Sequence, residues 1–257
     1  MTQPARPDPA RAPSRNDHVR PGPDFPGARG LAQFSGGTTG HPHRHPAWRH
    51  VRRLASSATW PRHARHPVPR WTVVSAILSP VLATGGWLIA DTAQPASYSP
   101  IRATVSVLAG YAGTDRWIMT GALFLVGGCQ LVTAAGLTGV RAPARILLVV
   151  AGLSSIGIAV NPEPAGGSTP QHLAWTALGA VAITVWPAFV ARSAPPRPLI
   201  LSSYGCAVVT AVFLVLLGWL VIETQGGSDL GLAERLFLST ETCWPFIVTI
   251  ALRQTTG

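Results

Sequence analysis

From residue 71 onward the chain is a succession of long segments with almost no charge, and this limits its fold more than any other feature. Residues 71–90 (WTVVSAILSPVLATGGWLIA) hold no charged side chain at all. A bilayer core about 30 Å thick needs roughly 20 apolar residues at about 1.5 Å rise each. Residues 117–138 meet that with one amide, Gln130. A shorter run, 145–160, follows, then 172–191, 199–221 and 234–252. In hydrocarbon an unpaired backbone amide costs several kcal/mol, so each run should be helical. The sequence therefore predicts an all-α fold: a polytopic membrane helix bundle of six transmembrane helices over residues 71–252, with 253–257 as a short C-terminal end.

The first 70 residues are of another kind. They hold 12 of the 20 Arg, 12 of the 24 Pro and seven of the eight His. Proline at this density removes amide donors and stops helices, and few apolar residues remain to bury. Residues 1–70 are expected to be a disordered tail. No apolar stretch of 7–15 residues follows its basic residues, which excludes a secretory signal. The run from His41 to Pro46 has no Cys nearby and reads as a compositional tract rather than a metal site. Nucleic acid is not an expected partner, because the only aromatics interleaved late in the tail are Trp48 and Trp60. Anionic lipid headgroups fit better, at about 1 kcal/mol per cation near the surface. Met1 and Met119 are the only methionines, so a non-Met start inside this segment, near Val51 or Val68, is an alternative beginning of the translated chain.

Arginine placement orients the bundle. The tail, Arg141, Arg145, Arg192, Arg197 and Arg253 fall on one side, and Arg102, Arg116 and Arg235 on the other. Cations collect in the cytoplasm, which predicts both termini there and a plasma-membrane location. Ser75, Ser79 and Ala83 recur every four residues, as do Ala151 and Ser155, a spacing that lets helices approach closely. Cys129, Cys206 and Cys243 all lie inside spans and imply no disulfide framework.

Chemistry concentrates at the side opposite the tail. In loop 91–116, Ser99 and Pro100 read as the start of a short helix and Gly110 as its stop. Ile101, Val105 and Leu108 would share one face and Arg102 and Ser106 another, with the apolar face lying on the membrane surface. His172 is the only histidine outside the tail. Bis-histidine haem ligation needs two imidazoles and catalytic zinc usually needs three protein ligands, so no metal site and no cofactor are expected. A Ser–His pair is conceivable, with Ser106, Ser154 or Ser155 as nucleophile and Asp91 or Asp115 as orienter. Glu241, an ionisable residue about 10 Å inside the last span, is a candidate for function by that fact alone. Its expected partners are Thr120 and Ser155, or His172 and Arg102 nearer the surface.

Three stretches form a pattern: Tyr98-Ser-Pro-Ile-Arg102 through Leu108, then Asp115-Arg116-Trp117 opening a Gly-rich span, then Asn161-Pro162 and a Gly-rich loop leading into His172. It resembles the six-span bacterial membrane proteins grouped as domain of unknown function 998, over about residues 71–252. Where that family often has an acid or Ala after the Ser, this chain has Val107. The resemblance implies a bacterial protein and six helices, and points to Ser106, Asp115, Arg116 and His172. Candidate substrate-binding residues are then Arg102, Ser106, Arg116, His172 and Glu241, and the candidate catalytic set is His172, Ser106 and Asp115. A non-enzymatic role is expected: binding or moving a small amphiphile, or scaffolding, with membrane lipid as partner. The alternative is a membrane enzyme acting on lipid or envelope precursors at the outer face, with His172 as general base.

Overall fold

The computed structural model describes residues 68–191 and 198–254, all within one unit, Thr59–Gly257. The tail expectation for residues 1–70 falls almost wholly outside the described residues, as do Arg192 and Arg197. The described residues form seven α-helices and one 3₁₀ turn, with no strand among them. In chain order these are α1 (Arg70–Thr92), α2 (Val105–Ala109), α3 (Trp117–Gly136), α4 (Ala142–Val160), α5 (Pro170–Ala191), the turn Leu199–Leu201, α6 (Ser203–Glu223) and α7 (Leu230–Gln254). The fold is an all-helical bundle.

Each apolar run of the sequence becomes one long helix. α4 begins three residues earlier than 145, because Pro143 is tolerated in a first helical turn. Arg145 is therefore helical, and its Nε donates to the Ala134 carbonyl at the end of α3, 2.8 Å away. The run 199–221 splits: a 3₁₀ turn comes first, then Ser202 caps α6 by accepting from Gly205 N–H at 3.1 Å.

Five helices, α1 and α3–α6, are long and apolar enough to cross a membrane. α6 is apolar all round and fully buries only Cys206 and Phe213; Val209, Leu216, Leu217 and Leu220 pack partly against the core, while residues such as Val215 and Ile222 face outward. A helix with an apolar outer face is what lipid solvates and water does not. This is a multi-pass membrane protein. α7 has the length, 25 residues, but carries Glu234, Arg235, Glu241 and Arg253 and is less apolar. It nevertheless runs the full depth of the bundle. Arg235 meets Asp91 at one end, and towards the other Ala251 joins the buried cluster that includes Val140, Ala144 and Leu201.

The six long helices form a closed ring in which each packs on its sequence neighbour and α7 returns to α1. α3 and α4 approach most closely at Gly127 and Gly152. A Cβ on Gly127 would stand 2.5 Å from the Gly152 carbonyl oxygen, and one on Gly152 2.8 Å from that of Gly127. On α1, Ser75, Ser79 and Ala83 are all buried, and Ser75 Oγ hydrogen-bonds Thr133 Oγ1 of α3 at 2.9 Å. Small residues at such spacing let backbones touch.

Loop 93–116 departs from expectation. The short helix starts at Val105, not Pro100, with Thr104 as its cap, accepting from Val107 N–H at 3.1 Å. Residues 99–103 make a turn in which Ala103 N–H donates to Ser99 O. Gly110 ends the helix as expected. α2 does not lie on the membrane surface. Val105, Leu108 and Ala109 are buried in a cluster with Ala90, Met119, Ala122, Leu123 and Ala159, so α2 plugs one end of the ring. Hydrophobic burial on all sides outweighs the two-faced pattern, and Ile101 and Arg102 are left exposed. A second, larger cluster around Trp186, Leu148 and Phe213 fills the opposite half.

Candidate functional site

Between the two clusters lies a cavity of about 80 Å³, lined by residues of α2 through α7. Its walls are mostly apolar, including Leu123, Val126, Ile158, Leu220, Phe237 and Leu238. The polar lining is confined to Ser106, Gln130, Ser154, Ser155, Thr176, Glu234 and Glu241. A volume of this size holds a few waters or the polar end of a small molecule.

Ser106 lies at the centre of a chain of hydrogen bonds. Its Oγ is 3.1 Å from His172 Nε2 and 3.2 Å from Glu234 Oε1. Glu234 Oε2 accepts from Val105 N–H at 2.7 Å. On the other side, His172 Nδ1 is 2.8 Å from the Asn161 carbonyl oxygen. His172 is only 2% exposed, so bulk water does not compete for these partners.

Counting protons along this chain limits its states. A carbonyl oxygen only accepts, so Nδ1 carries hydrogen. Nε2 and Glu234 Oε1 then both face one hydroxyl, which has one hydrogen to give. If His172 were neutral and Glu234 ionised, one of them would be left as acceptor against acceptor. The geometry is satisfied when the unit holds one further proton. In one form His172 is an imidazolium donating to Ser106, which donates to the carboxylate. In the other, a carboxylic acid donates to Ser106, which donates to neutral His172. Passing one proton from His172 to Ser106 and one from Ser106 to Glu234 interconverts them.

Arg235 is one residue from Glu234 but faces elsewhere. Its Nη1 donates to the carbonyls of Pro100, Ala103 and Gly231, at 2.6, 2.7 and 3.0 Å. Its Nη2 donates to Asp91 at 2.8 Å and to Tyr98 Oη at 2.6 Å, and the guanidinium lies 5.5 Å from the Trp87 ring centre. Tyr98 also donates to Asp91 Oδ1 at 2.9 Å. Burial pushes the Tyr98 phenol up to about 12, although the Arg235 charge pulls the other way. Arg235 thus ties loop 93–116 to α7, and Asp91, offered by the sequence as a histidine orienter, serves the arginine instead. Burial likewise raises the Glu163 carboxyl, opposed by the charge of His172.

The remaining candidates disperse. Arg102 is exposed, and Asp115 is exposed with a left-handed φ of 49° at the turn into α3. Arg116 stacks over Trp117 at 3.8 Å and Tyr111 at 4.7 Å, away from the cavity lining. Glu241 lines the cavity, but its expected partners are engaged elsewhere. Thr120 donates to the Ala109 carbonyl and Ser155 to that of Leu123. Glu241 Oε2 has no hydrogen-bond partner among the described residues, and neither do Gln130 Oε1 and Ser154 Oγ.

Sequence reasoning passed over Glu234, Arg235 and Gln130 as site residues and weighed Ser154 only as a nucleophile. For Glu234 a signal existed. It precedes Glu241 by seven residues, two helical turns, which puts both carboxylates on one face. Gln130 and Ser154 belong to separate helices, and nothing in their spacing pairs them. Among the described residues no group of three or more His, Cys, Asp or Glu is placed to hold a metal ion.

Neither the curated proteins nor the solved structures gave a match to this chain. A family model described as protein of unknown function (DUF998) matches residues 77–251, from the second turn of α1 to the last turn of α7. The match includes the cavity, Ser106, His172 and Glu234, and by it the chain belongs to the DUF998 family.

Proposed function

We propose that this protein binds a small amphiphile inside its helix ring, at the membrane face opposite the tail, and acts as a binding or transport protein rather than an enzyme. The observation that carries this reading is the cavity itself. Apolar walls suit an alkyl chain, and three buried polar atoms without partners wait at the same place. Six crossings follow if α7, enclosed by α1 and α6, spans with the others. The arginine distribution supports cytoplasmic termini in a bacterial plasma membrane, with residues 1–70 meeting anionic headgroups and lipid as the surrounding partner.

The competing reading, an enzyme with His172 as base, draws on the 3.1 Å separation of His172 Nε2 and Ser106 Oγ. Two features oppose it. The carboxylate sits on the serine rather than on the histidine, and the neighbouring Val105 N–H is already engaged by Glu234.

The test is photolabelling of the full chain in nanodiscs with a diazirine-bearing short-chain alcohol. Labels should map to Leu123, Ile158 and Leu238, and Ala151→Phe, which fills the cavity, should abolish them while yield is kept. Labelling confined to lipid-facing residues such as Val81 and Val215 would overturn the reading.

A further inference from the structure

The amphiphile reading leaves the headgroup open, and the charges around the cavity decide it. Two carboxylates line it, Glu234 and Glu241, and among the described residues no Arg, Lys or His side chain does. Arg235, the nearest cation in sequence, spends both terminal nitrogens on Asp91, Tyr98 and three carbonyls on a different face of α7. Glu234 is served within the molecule by Ser106 and Val105 N–H. Glu241 has no such service. It is the one lining carboxylate with an oxygen lacking a hydrogen-bond donor.

Two further observations, independent of the acids, point to the same place. Gln130 on α3 is 3% exposed and Ser154 on α4 is 1% exposed, yet Gln130 Oε1 and Ser154 Oγ are also without partners. Each unpaired buried polar atom costs free energy; nine occur among the described residues, and the gathering of three of them around one cavity indicates something that binds there. Two of the three, a carboxylate oxygen and an amide oxygen, accept only, and the third can accept. They call for a donor. A primary ammonium brings three N–H donors and the positive charge that Glu241 lacks. An anionic headgroup would meet two carboxylates and no cation, and a quaternary ammonium would bring charge but no hydrogen to donate.

We propose that the cavity is a site for a primary alkylammonium headgroup, held by Glu241, Gln130 and Ser154, with its alkyl chain against Phe237, Leu238 and Leu220. This rests on the amphiphile reading above, and it adds the charge and donor count of the ligand.

Four octyl probes separate the possibilities: octylamine, octyltrimethylammonium, octanol and octyl phosphate, titrated calorimetrically into the full chain in maltoside micelles. Octylamine should bind at least tenfold tighter than octanol and octyltrimethylammonium, and octyl phosphate should not bind. Glu241→Gln should weaken octylamine about tenfold and leave octanol unchanged. Should Glu241→Gln fail to fold, Ser154→Ala and Gln130→Leu take its place, each expected to weaken octylamine several-fold without moving octanol. Equal binding of octanol and octylamine, or indifference to these substitutions, would overturn the ammonium assignment while leaving amphiphile binding intact. Binding of none of the four would overturn both.

Discussion

Replacing Glu234 by glutamine should leave the bundle almost as stable as the native chain, whereas Glu234→Leu should damage it. The reasoning is the proton count around Ser106. In Glu234→Gln the amide oxygen can still accept from Val105 N–H, now 2.7 Å from the carboxylate, and the amide NH₂ can donate to Ser106 Oγ across the present 3.2 Å. The serine hydroxyl then turns to His172 Nε2 at 3.1 Å, and every partner is served. Glutamine copies the form in which the carboxyl carries the shared proton, so a cost below about 1 kcal/mol is expected. Leucine leaves the Val105 N–H without an acceptor, at about 1–3 kcal/mol for an unpaired buried donor. Ser106→Ala removes the link itself and strands His172 Nε2, again at about 1–3 kcal/mol.

On a scale of about 2–4 °C per kcal/mol for domains of 150–250 residues, leucine or the Ser106→Ala change should lower Tm by about 2–12 °C, and glutamine by less than either and by less than about 4 °C. Tryptophan fluorescence during thermal unfolding in detergent reads this directly, since the chain has nine Trp. If Glu234→Gln falls as far as Glu234→Leu, the site needs an ionised carboxylate and the shared-proton argument is wrong. If Ser106→Ala is silent, the hydroxyl is not the link.

Four other changes test the frame around the site. Arg235→Met breaks five hydrogen bonds and strands Asp91; loss of one partner of a buried pair costs about 3–5 kcal/mol, so folded yield after size exclusion should collapse. Gly127→Val drives side chain into the Gly152 carbonyl and should cost about 1–3 kcal/mol or more, read as Tm, while Gly128→Val, where a Cβ meets nothing within 4 Å, should be mild. The Tyr98 phenol, held neutral by burial, should ionise near pH 12 in the absorbance difference between native chain and Tyr98→Phe, and the stability it lends should persist below its ordinary 10.0 and vanish as pH rises through 12. Glu163 is raised by burial, so whatever stability its protonated form supplies is present at acid pH and lost as pH rises through the raised value; Glu163→Gln should flatten the Tm-against-pH curve there and exceed the native chain above it.

How far the sequence carries the structure depends on whether a residue's partners are close in the chain. The long helices were legible because hydrophobic length is a local property. Trp117 and Pro170 open helices within two residues of expectation. The start of α4 was missed because Arg145 reads as a boundary charge, and only the carbonyls of α3 reveal why a helix can hold it. α2 was misjudged for a related reason. Ile101, Val105 and Leu108 share a helical face on paper, but burial in three dimensions cares for Val105, Leu108 and Ala109, and the turn at residues 99–103 is held by Arg235, 132 residues or more away. His172 could be paired on sequence with Ser106, Ser154 or Ser155 alike, and the 66 residues between His172 and Ser106 hide that this is the serine it touches.

α7 shows why the least apolar helix is the one to look at. A helix of a membrane bundle that carries two carboxylates and an arginine in its first half is best served by turning them from lipid, and the ring gives it an interior to face. The three charges then part company by angle. Arg235, about 100° around the helix from Glu234, turns to the loop and closes the end of the bundle through Asp91. Glu234 and Glu241, two turns apart, turn to the cavity, one served by α2 and the other left with an open oxygen. If the polar face of α7 existed only to hold helices together, its groups would be expected to find partners on neighbouring helices, as Ser75 finds Thr133. Arg235 and Glu234 do so. Glu241 lines the cavity together with Ser154 and Gln130, and an oxygen of each is left without a partner. Arg235 Nε and Trp244 Nε1 on α7 also lack partners, but neither residue lines the cavity; three partnerless atoms facing one space are better explained by a ligand than by a fault in packing.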